Sequence, residues 1–419
     1  MATVDFSVPY GHAQLRGQVP ESSFLGVFLP QEEEAAEDEQ QLLRQALESP
    51  IGSPRLRELA RAGQKVAVVT SDMTRPCPAD KMLPPVLAEL NAAGVPDADI
   101  TVIVALGLHR AQTAEELDQM LGPQVCRRVR VLNHDPEQVV RLGVTSRGTP
   151  VEFFLPLVEA DLRVCLGNLE FHYFAGFSGG AKAILPGCAS KATVTANHAL
   201  MVQPGAVAGR IEGNPVRADI EEGVAMLGAD FILNVVVDGH HYITGAVAGH
   251  TEKAHRQGCE LVAQRGSVPI PQLAEVVVVS AGGYPKDCNM YQAQKALDNA
   301  VHAVREGGVI IWVAECVEGL GGKTFESWLR EVGQPDKVLE RIQREFVLGG
   351  HKAAAIAAVL KRASVYLVSG LGKEVLEGSG LVPFVSLDEA LKAALKKTGP
   401  QARVLSLPYG GSVLPVLAA

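Results

Sequence analysis

The chain has no CxxC pair, and its seven cysteines, Cys77, Cys126, Cys165, Cys188, Cys259, Cys288 and Cys316, are scattered and odd in number. That pattern favours neither a disulfide framework nor a thiolate zinc site, and it suits a reducing, cytoplasmic setting. There is no apolar run of about 20 residues, and the start MATVDFSVPYGHAQLRG lacks a basic region followed by an apolar core. Neither a membrane span nor an export signal is therefore expected. A basic block is absent too: 38 Lys and Arg stand against 47 Asp and Glu, a formal net charge of -9, which argues against nucleic acid as the main partner. Aromatic residues are scarce at 5%, and no HExxH, GxGxxG or complete GxxxxGK[ST] pattern occurs. The usual zinc-protease, dinucleotide and triphosphate signatures are thus missing.

What is present is a turn-rich chain of 419 residues with 42 Gly, 25 Pro and 47% hydrophobic residues. At roughly 150 residues per domain this length predicts two domains, each able to bury a core. Short apolar runs, Lys65–Thr70, Ile100–Ala105, Leu162–Leu166 and Phe231–Val237, read as buried strands, with helical spacing over Met82–Ala93 and a Thr113/Glu116 capping box between them. After Gly266-Ser267-Val268-Pro269-Ile270-Pro271 the pattern restarts with strands at Val276–Val279, Val309–Val313, Val365–Val368 and Val404–Leu407, and helices from Tyr291 and over Leu387–Lys397. The expected fold is α/β: two α/β domains with mostly parallel sheets, residues 1–270 and 271–419, and an active-site cleft between them. The acidic run Glu32–Glu39 is most simply a solvated helix face or loop.

In parallel sheets functional groups gather at the carboxyl ends of strands, which puts Asp72, Arg75 and His109 on one edge. Arg75 can clamp a carboxylate with two charge-assisted hydrogen bonds, while Asp72 can orient it or bind a cofactor hydroxyl; a turn-stabilising pair is the bland alternative. His109 can exchange a proton near neutral pH. The stretch from Gly167 to Gly187 is too rich in glycine and polar groups for ordinary core, and His172, Lys182 and His198 flank its GFSGGAK turn. Its backbone N–H groups can face one phosphate, with Lys182 as a point charge or a nucleophilic amine. In the second domain Tyr291 and Lys295 lie one helical turn apart with Gln292 on the flank, an anionic-substrate grip or ordinary helix surface. Glu315 ends the next strand and is placed to organise the cleft. Cys188 reads as buried core, and His12, His134, His240 and His241 have no defining context.

Taken together, DMTRP at Asp72–Pro76, GLHR at Gly107–Arg110, HYFAGFSGGAKAILPG at His172–Gly187, Asn197-His198 and YQAQK at Tyr291–Lys295 resemble, in order, the nickel-dependent lactate racemase family. That resemblance implies interconversion of the two configurations of a 2-hydroxy acid. It also implies a pyridinium-3-thioamide-5-thiocarboxylic acid mononucleotide carrying pincer-bound nickel, joined covalently to Lys182, with His198 as the protein ligand to the metal. His109 and His172 would flank the substrate carbon, one taking the hydroxyl proton while hydride leaves for the cofactor ring and a transient α-keto acid forms. Arg75, Lys295, Gln292 and Tyr291 would bind the substrate, and Asp72 the cofactor surroundings. Proteins that make the cofactor and insert nickel are implied as partners. These assignments agree with chemistry: an α C–H beside a carboxylate is a poor acid, and imidazole with soft sulfur suits nickel. Lactate is the default substrate, with malate, aromatic hydroxy acids and sugar acids as variants. A nicotinamide-dependent 2-hydroxy-acid dehydrogenase is the alternative enzyme, disfavoured by the missing GxGxxG. A noncatalytic nickel-cofactor-binding protein is the alternative of another class.

Overall fold

The computed structural model describes residues 2–31, 38–238 and 241–418. The chain divides into two compact units, a middle unit of Glu32–Gln264 and a terminal unit of Met1–Gln31 with Arg265–Ala419. The acidic-run expectation lies outside the described residues from 32 to 37, as does His240. At the end of that run Asp38 caps the helix Glu39–Glu48, accepting from the Gln41 N–H.

The middle unit is built on strands β1 (Val66–Ser71), β2 (Ile100–Ala105), β3 (Arg130–Asn133), β4 (Leu162–Asn168), β5 (Phe231–Val237) and β6 (Ile243–Gly249). They lie in the order β6-β5-β4-β1-β2-β3. All neighbours are parallel except β5 and β6. Alternation along the strands explains the layers: Val66, Val68, Val102, Val104, Val164 and Leu166 enter one core. Ala67, Val69, Ile103 and Cys165 enter the other, on the opposite face. Each fully buried valine contributes roughly 1.5–3 kcal/mol, so a sheet covered on both faces is a stiff platform. Because the strands run the same way, the loops after β1, β2 and β4 leave from one edge, and these carry Asp72, His109 and His172.

The helix expected from Met82 begins at Ala79 and runs to Ala92, with Pro84 and Pro85 inside it. Each such proline removes a helical hydrogen bond. Burial of Ala79, Met82, Leu83, Val86, Leu87 and Leu90 on one face offsets the loss.

In the terminal unit the sheet order is Val382–Phe384, Ser364–Val368, Val304–Val313, Ala274–Ser280, Val404–Leu407 and Phe24–Val27, all parallel. A hairpin of Thr3–Tyr10 and Ala13–Pro20 adds Phe6, Val8 and Val19 to the core around Val276, Ile311 and Leu391. The division at 1–270 and 271–419 is thereby corrected: residues 1–31 belong with the C-terminal part. The reason is backbone pairing, since Phe24–Val27 completes an edge that Val404–Leu407 would otherwise expose. No helix among the described residues is long and apolar enough to cross a membrane.

Candidate active site

At the end of β1 the chain turns sharply, and Asp72 is buried at 3% exposure. Its carboxylate accepts from His109 Nδ1 at 2.5 Å and from Thr74 Oγ1 at 2.6 Å. Burial pushes the Asp72 carboxyl up, but the bonds from His109 and Thr74 and the charges of His109 and Arg75 outweigh it and hold the group below its usual range. An ionised Asp72 makes Nδ1 the donor and leaves the basic lone pair of a neutral His109 on Nε2. The reading of Asp72 as an orienter of Arg75 gives way here: both carboxylate oxygens are engaged by His109 and Thr74, 37 and 2 residues away. The Arg75 side chain is exposed, and its charge bears on His172 and Lys182.

The stretch after β4 folds back on itself through the short strands Phe171–His172 and Gly176–Phe177, then a tight turn at Gly180–Ala183. Gly179 and Gly180 have positive φ, and a Cβ on them would lie 2.6 Å from Leu169 and 2.7 Å from His255. The turn is held from behind: Gly180 N–H donates to Asn234 Oδ1 at 2.8 Å, and His255 Nε2 donates to the Ser178 carbonyl at 2.8 Å. Arg217, fully buried, donates to the carbonyls of Ala175 and Phe177. A backbone bond from Gly107 N–H to the Gly187 carbonyl, 2.9 Å, ties the His109 loop to the end of this one.

Lys182 Nζ sits 3.2 Å from His172 Nε2, and His172 Nδ1 accepts from the Ala175 N–H at 3.3 Å. The proton count on this pair is constrained. A neutral imidazole accepting at Nδ1 carries its hydrogen on Nε2, so Nε2 donates and the Lys182 nitrogen accepts, as only an uncharged amine can. The electrostatics agree: burial first, then the positive charges of Arg75 and Arg217, pull Lys182 well below the ordinary lysine range. Burial first, and after it the charges of Arg75 and Arg217, lowers His172 well below the ordinary histidine range.

His198 lies in the last turn of the helix Lys191–Ala199, which Ser190 caps by accepting from Thr193 N–H. The Phe174 ring stands edge-on to both His172 and His198, with centroids 4.5 and 5.0 Å away. Phe174 therefore stands between His198 and His172, which in turn meets Lys182, and residues dispersed in sequence are linked through these contacts. Asn197 accepts from His198 Nδ1 at 3.2 Å.

The other expected residues lie in the terminal unit. Tyr291, Gln292 and Lys295 belong to the helix Met290–Ala300, which starts one residue earlier than expected because Asn289 caps it. Gln292 and Lys295 are exposed, whereas the Tyr291 ring packs edge-on against Phe325 and His351. In the same unit Glu315 N–H donates to Asp287. Cys188 is buried as expected, and the seven cysteines are free. His134 is more than a spare histidine: it is 3% exposed, and neither ring nitrogen has a hydrogen-bond partner among the described residues. It borders a cavity of about 520 Å³ shared with His109, Arg130, Leu132 and Phe154.

The middle unit thus presents an imidazole backed by a buried carboxylate, a second imidazole bonded to an amine, a third imidazole and an exposed guanidinium. This set offers imidazoles that can pass protons and an amine that can attach an electrophile at Lys182. Sequence reading missed the supports Arg217, Asn234 and His255. The signal available for the first was local: Asn214-Pro215 starts a helix, and its third residue is a charge on a face that is otherwise Val216, Ile220 and Val224.

Comparison with known proteins adds six findings. The profile of the lactate racemase N-terminal domain matches residues 10–209, and that of the lactate racemase C-terminal domain matches residues 270–415. A lactate racemase from Thermoanaerobacterium thermosaccharolyticum is 35% identical over 99% of both chains. One from Lactiplantibacillus plantarum is 33% identical over 98% of this chain and 99% of that one. The solved lactate racemase apoprotein from T. thermosaccharolyticum superposes with a TM-score of 0.88 over 99% of this chain and 100% of its own, at 35% identity. A Thermotoga maritima protein, at 20% identity and a TM-score of 0.63, shares the fold.

Proposed function

The chain belongs to the lactate racemase family, and from that premise we propose that it interconverts the two enantiomers of lactate with a nickel pincer nucleotide held at Lys182 and His198. The observation that carries the reading is the linked set in which Lys182 bonds His172 and Phe174 packs edge-on against both His172 and His198.

The residues fit such a group. No cluster of three or more His, Cys, Asp or Glu arranged for a metal occurs among the described residues, so a metal here needs donors that arrive with it. His198 supplies an imidazole, a borderline ligand that nickel accepts. When bound, the nucleotide supplies a reversible two-electron acceptor for the substrate's α-hydrogen.

Everything else falls to the chain. Lys182 holds the cofactor through its side-chain nitrogen, and its depressed basicity favours the neutral, nucleophilic amine. A nitrogen engaged in an amide-type bond no longer offers the lone pair that accepts from His172 Nε2, so attachment at Lys182 frees that imidazole for proton work. His109, steered by Asp72, takes the substrate hydroxyl proton through Nε2 from one side and returns it, while His172 serves the other configuration. Arg75 meets the substrate carboxylate with its fork of donors. Tyr291, Gln292 and Lys295 are proposed as further substrate-binding groups, carried by the helix Met290–Ala300 of the terminal unit. Proteins that build the nucleotide and insert nickel are the partners this reading calls for.

The test is production together with those proteins, followed by incubation with D- or L-lactate and chiral chromatography. The expected result is the same final mixture from either enantiomer, without net consumption of a nicotinamide, from a protein that carries nickel and an added mass at Lys182. Failure of a loaded protein to interconvert lactate overturns the reading.

A further inference from the structure

Beside His198 lies a chain of buried hydrogen bonds that the reading above leaves unused. Asn197 and Asp219 are both 0% exposed. Asp219 Oδ1 accepts from Thr145 Oγ1 at 2.5 Å, and its Oδ2 accepts from Thr149 Oγ1 and from Asn197 Nδ2, each at 2.8 Å. The same Asn197 Nδ2 donates to the Val216 carbonyl at 3.3 Å.

These contacts decide which way the Asn197 amide points. Turned over, its oxygen would face a carboxylate oxygen and a carbonyl oxygen, neither of which has a hydrogen to give. The NH2 therefore faces Asp219 and Val216, and Oδ1 faces His198 Nδ1 at 3.2 Å. An oxygen there requires a hydrogen on Nδ1. We infer that Asn197, locked by Asp219, is a positioning residue that fixes His198 as the Nδ1–H tautomer, with the lone pair on Nε2 as the one presented to nickel.

The elements concerned make this rigid. Asp219 sits one turn into the helix Pro215–Ala225, whose start Asn214 fixes by accepting from Val216 and Arg217 N–H. Thr145 and Thr149 close the turn between Val139–Val144 and Pro150–Phe154, where Thr149 N–H donates to Thr145 Oγ1. Three segments thus hold one amide plane, and that plane sets one imidazole. Partners of this kind orient a metal-binding histidine, and their removal typically weakens metal retention about 10- to 100-fold.

The inference rests on the proposed role of His198, and the experiment separates the two. Nitrogen-15 NMR of the histidine-labelled, cofactor-free chain, with His198 assigned by its loss in His198→Gln, reads the tautomer directly. An Nδ1–H form in the wild type, giving way to mixed tautomers in a folded Asn197→Ala, is expected. An Nε2–H form in the wild type overturns the inference without any variant. Nickel content and mass at Lys182 are then measured on proteins produced with the cofactor-making and nickel-inserting proteins. Asn197→Ala should keep the mass and lose nickel about 10- to 100-fold faster to a chelator, while the milder Thr149→Val, with one donor removed from Asp219, should fall between it and the wild type. If His198→Gln loses nickel and Asn197→Ala holds it like the wild type, the relay is wrong and the ligand reading stands. If His198→Gln itself holds nickel normally, the ligand reading fails.

Discussion

Replacing Arg217 with methionine tests whether a buried cation behind the glycine-rich turn keeps Lys182 an uncharged amine. Two opposing contributions set the stability of that variant. Arg217 is 1% exposed, and burial, only partly countered by Glu221, draws its pKa from 12.5 to about 10. Keeping it charged therefore costs on the order of 3 kcal/mol, at about 1.4 kcal/mol per tenfold. Its bonds to the Ala175 and Phe177 carbonyls are charge-assisted, at about 1.5–3 kcal/mol each, so their loss removes about 3–6 kcal/mol. The variant should fold with a deficit of about 0–3 kcal/mol, readable by urea denaturation. The effect on Lys182 has a definite sign. Burial remains the larger cause of its depressed basicity, but removing the Arg217 charge lets it hold a proton more readily. Below its pKa, each tenfold gain in basicity leaves a tenth of the reactive neutral amine. Competitive labelling with acetic anhydride across a pH series, read by peptide mass spectrometry against exposed lysines, should show the rise in Lys182 reactivity displaced to higher pH in Arg217→Met. An unchanged or lower onset in the folded variant refutes the electrostatic argument.

Other outcomes follow from the same geometry. Lys182→Ala should carry no added mass after production with the cofactor-making proteins, and a normal adduct would reject the tether. His109→Ala and His172→Ala should remain folded and, when loaded, turn over lactate about 10²- to 10⁴-fold more slowly; wild-type rates in both would remove the two-base account. The folded Asp72 pKa lies below its unfolded value, so its contribution to stability is complete above about pH 4 and is lost as pH falls through the folded value. Asp72→Asn should accordingly lose stability at neutral pH and show a shallower acid decline in denaturant titrations; parallel curves would contradict this. Burial lowers His134 from 6.5 to about 4, so the unfolded chain binds the extra proton between those values and wild-type stability falls across that window by on the order of 3 kcal/mol. His134→Leu should flatten that decline, and an unaltered slope between pH 6.5 and 4 would show that the imidazole is not buried in the neutral form.

Much of the middle unit was legible because its strands are short Val- and Ile-rich runs that end in turn residues. That placed Asp72, Arg75 and His109 on one edge, and the loops after β1 and β2 carry them there, with His172 in the loop after β4. Which groups bond there was not legible: Asp72 chose His109, 37 residues on, over Arg75 three residues on. The sharp turn places Arg75 in solvent, and the parallel sheet brings the β1 and β2 loops side by side. The meeting of His172 and His198 was equally hidden, because it depends on Phe174 standing between them. Arg217 and Asp219 were overlooked for a related reason: a charged residue ordinarily reads as solvated surface, whereas here both are enclosed and answered by carbonyls and hydroxyls. The place of the first 31 residues carried no local signal, since the partner of Phe24–Val27 lies at Val404–Leu407.

That last pairing orders events during synthesis. The ribosome releases the whole of the middle unit while the segment that will sit beside Val404–Leu407 is already out and waiting without its neighbour. Domains generally fold as they emerge, and unpaired strand edges invite aggregation. The nascent chain must therefore carry an open edge until Val404–Leu407 is made, so a chain cut short before that strand leaves the middle unit attached to a sticky remnant.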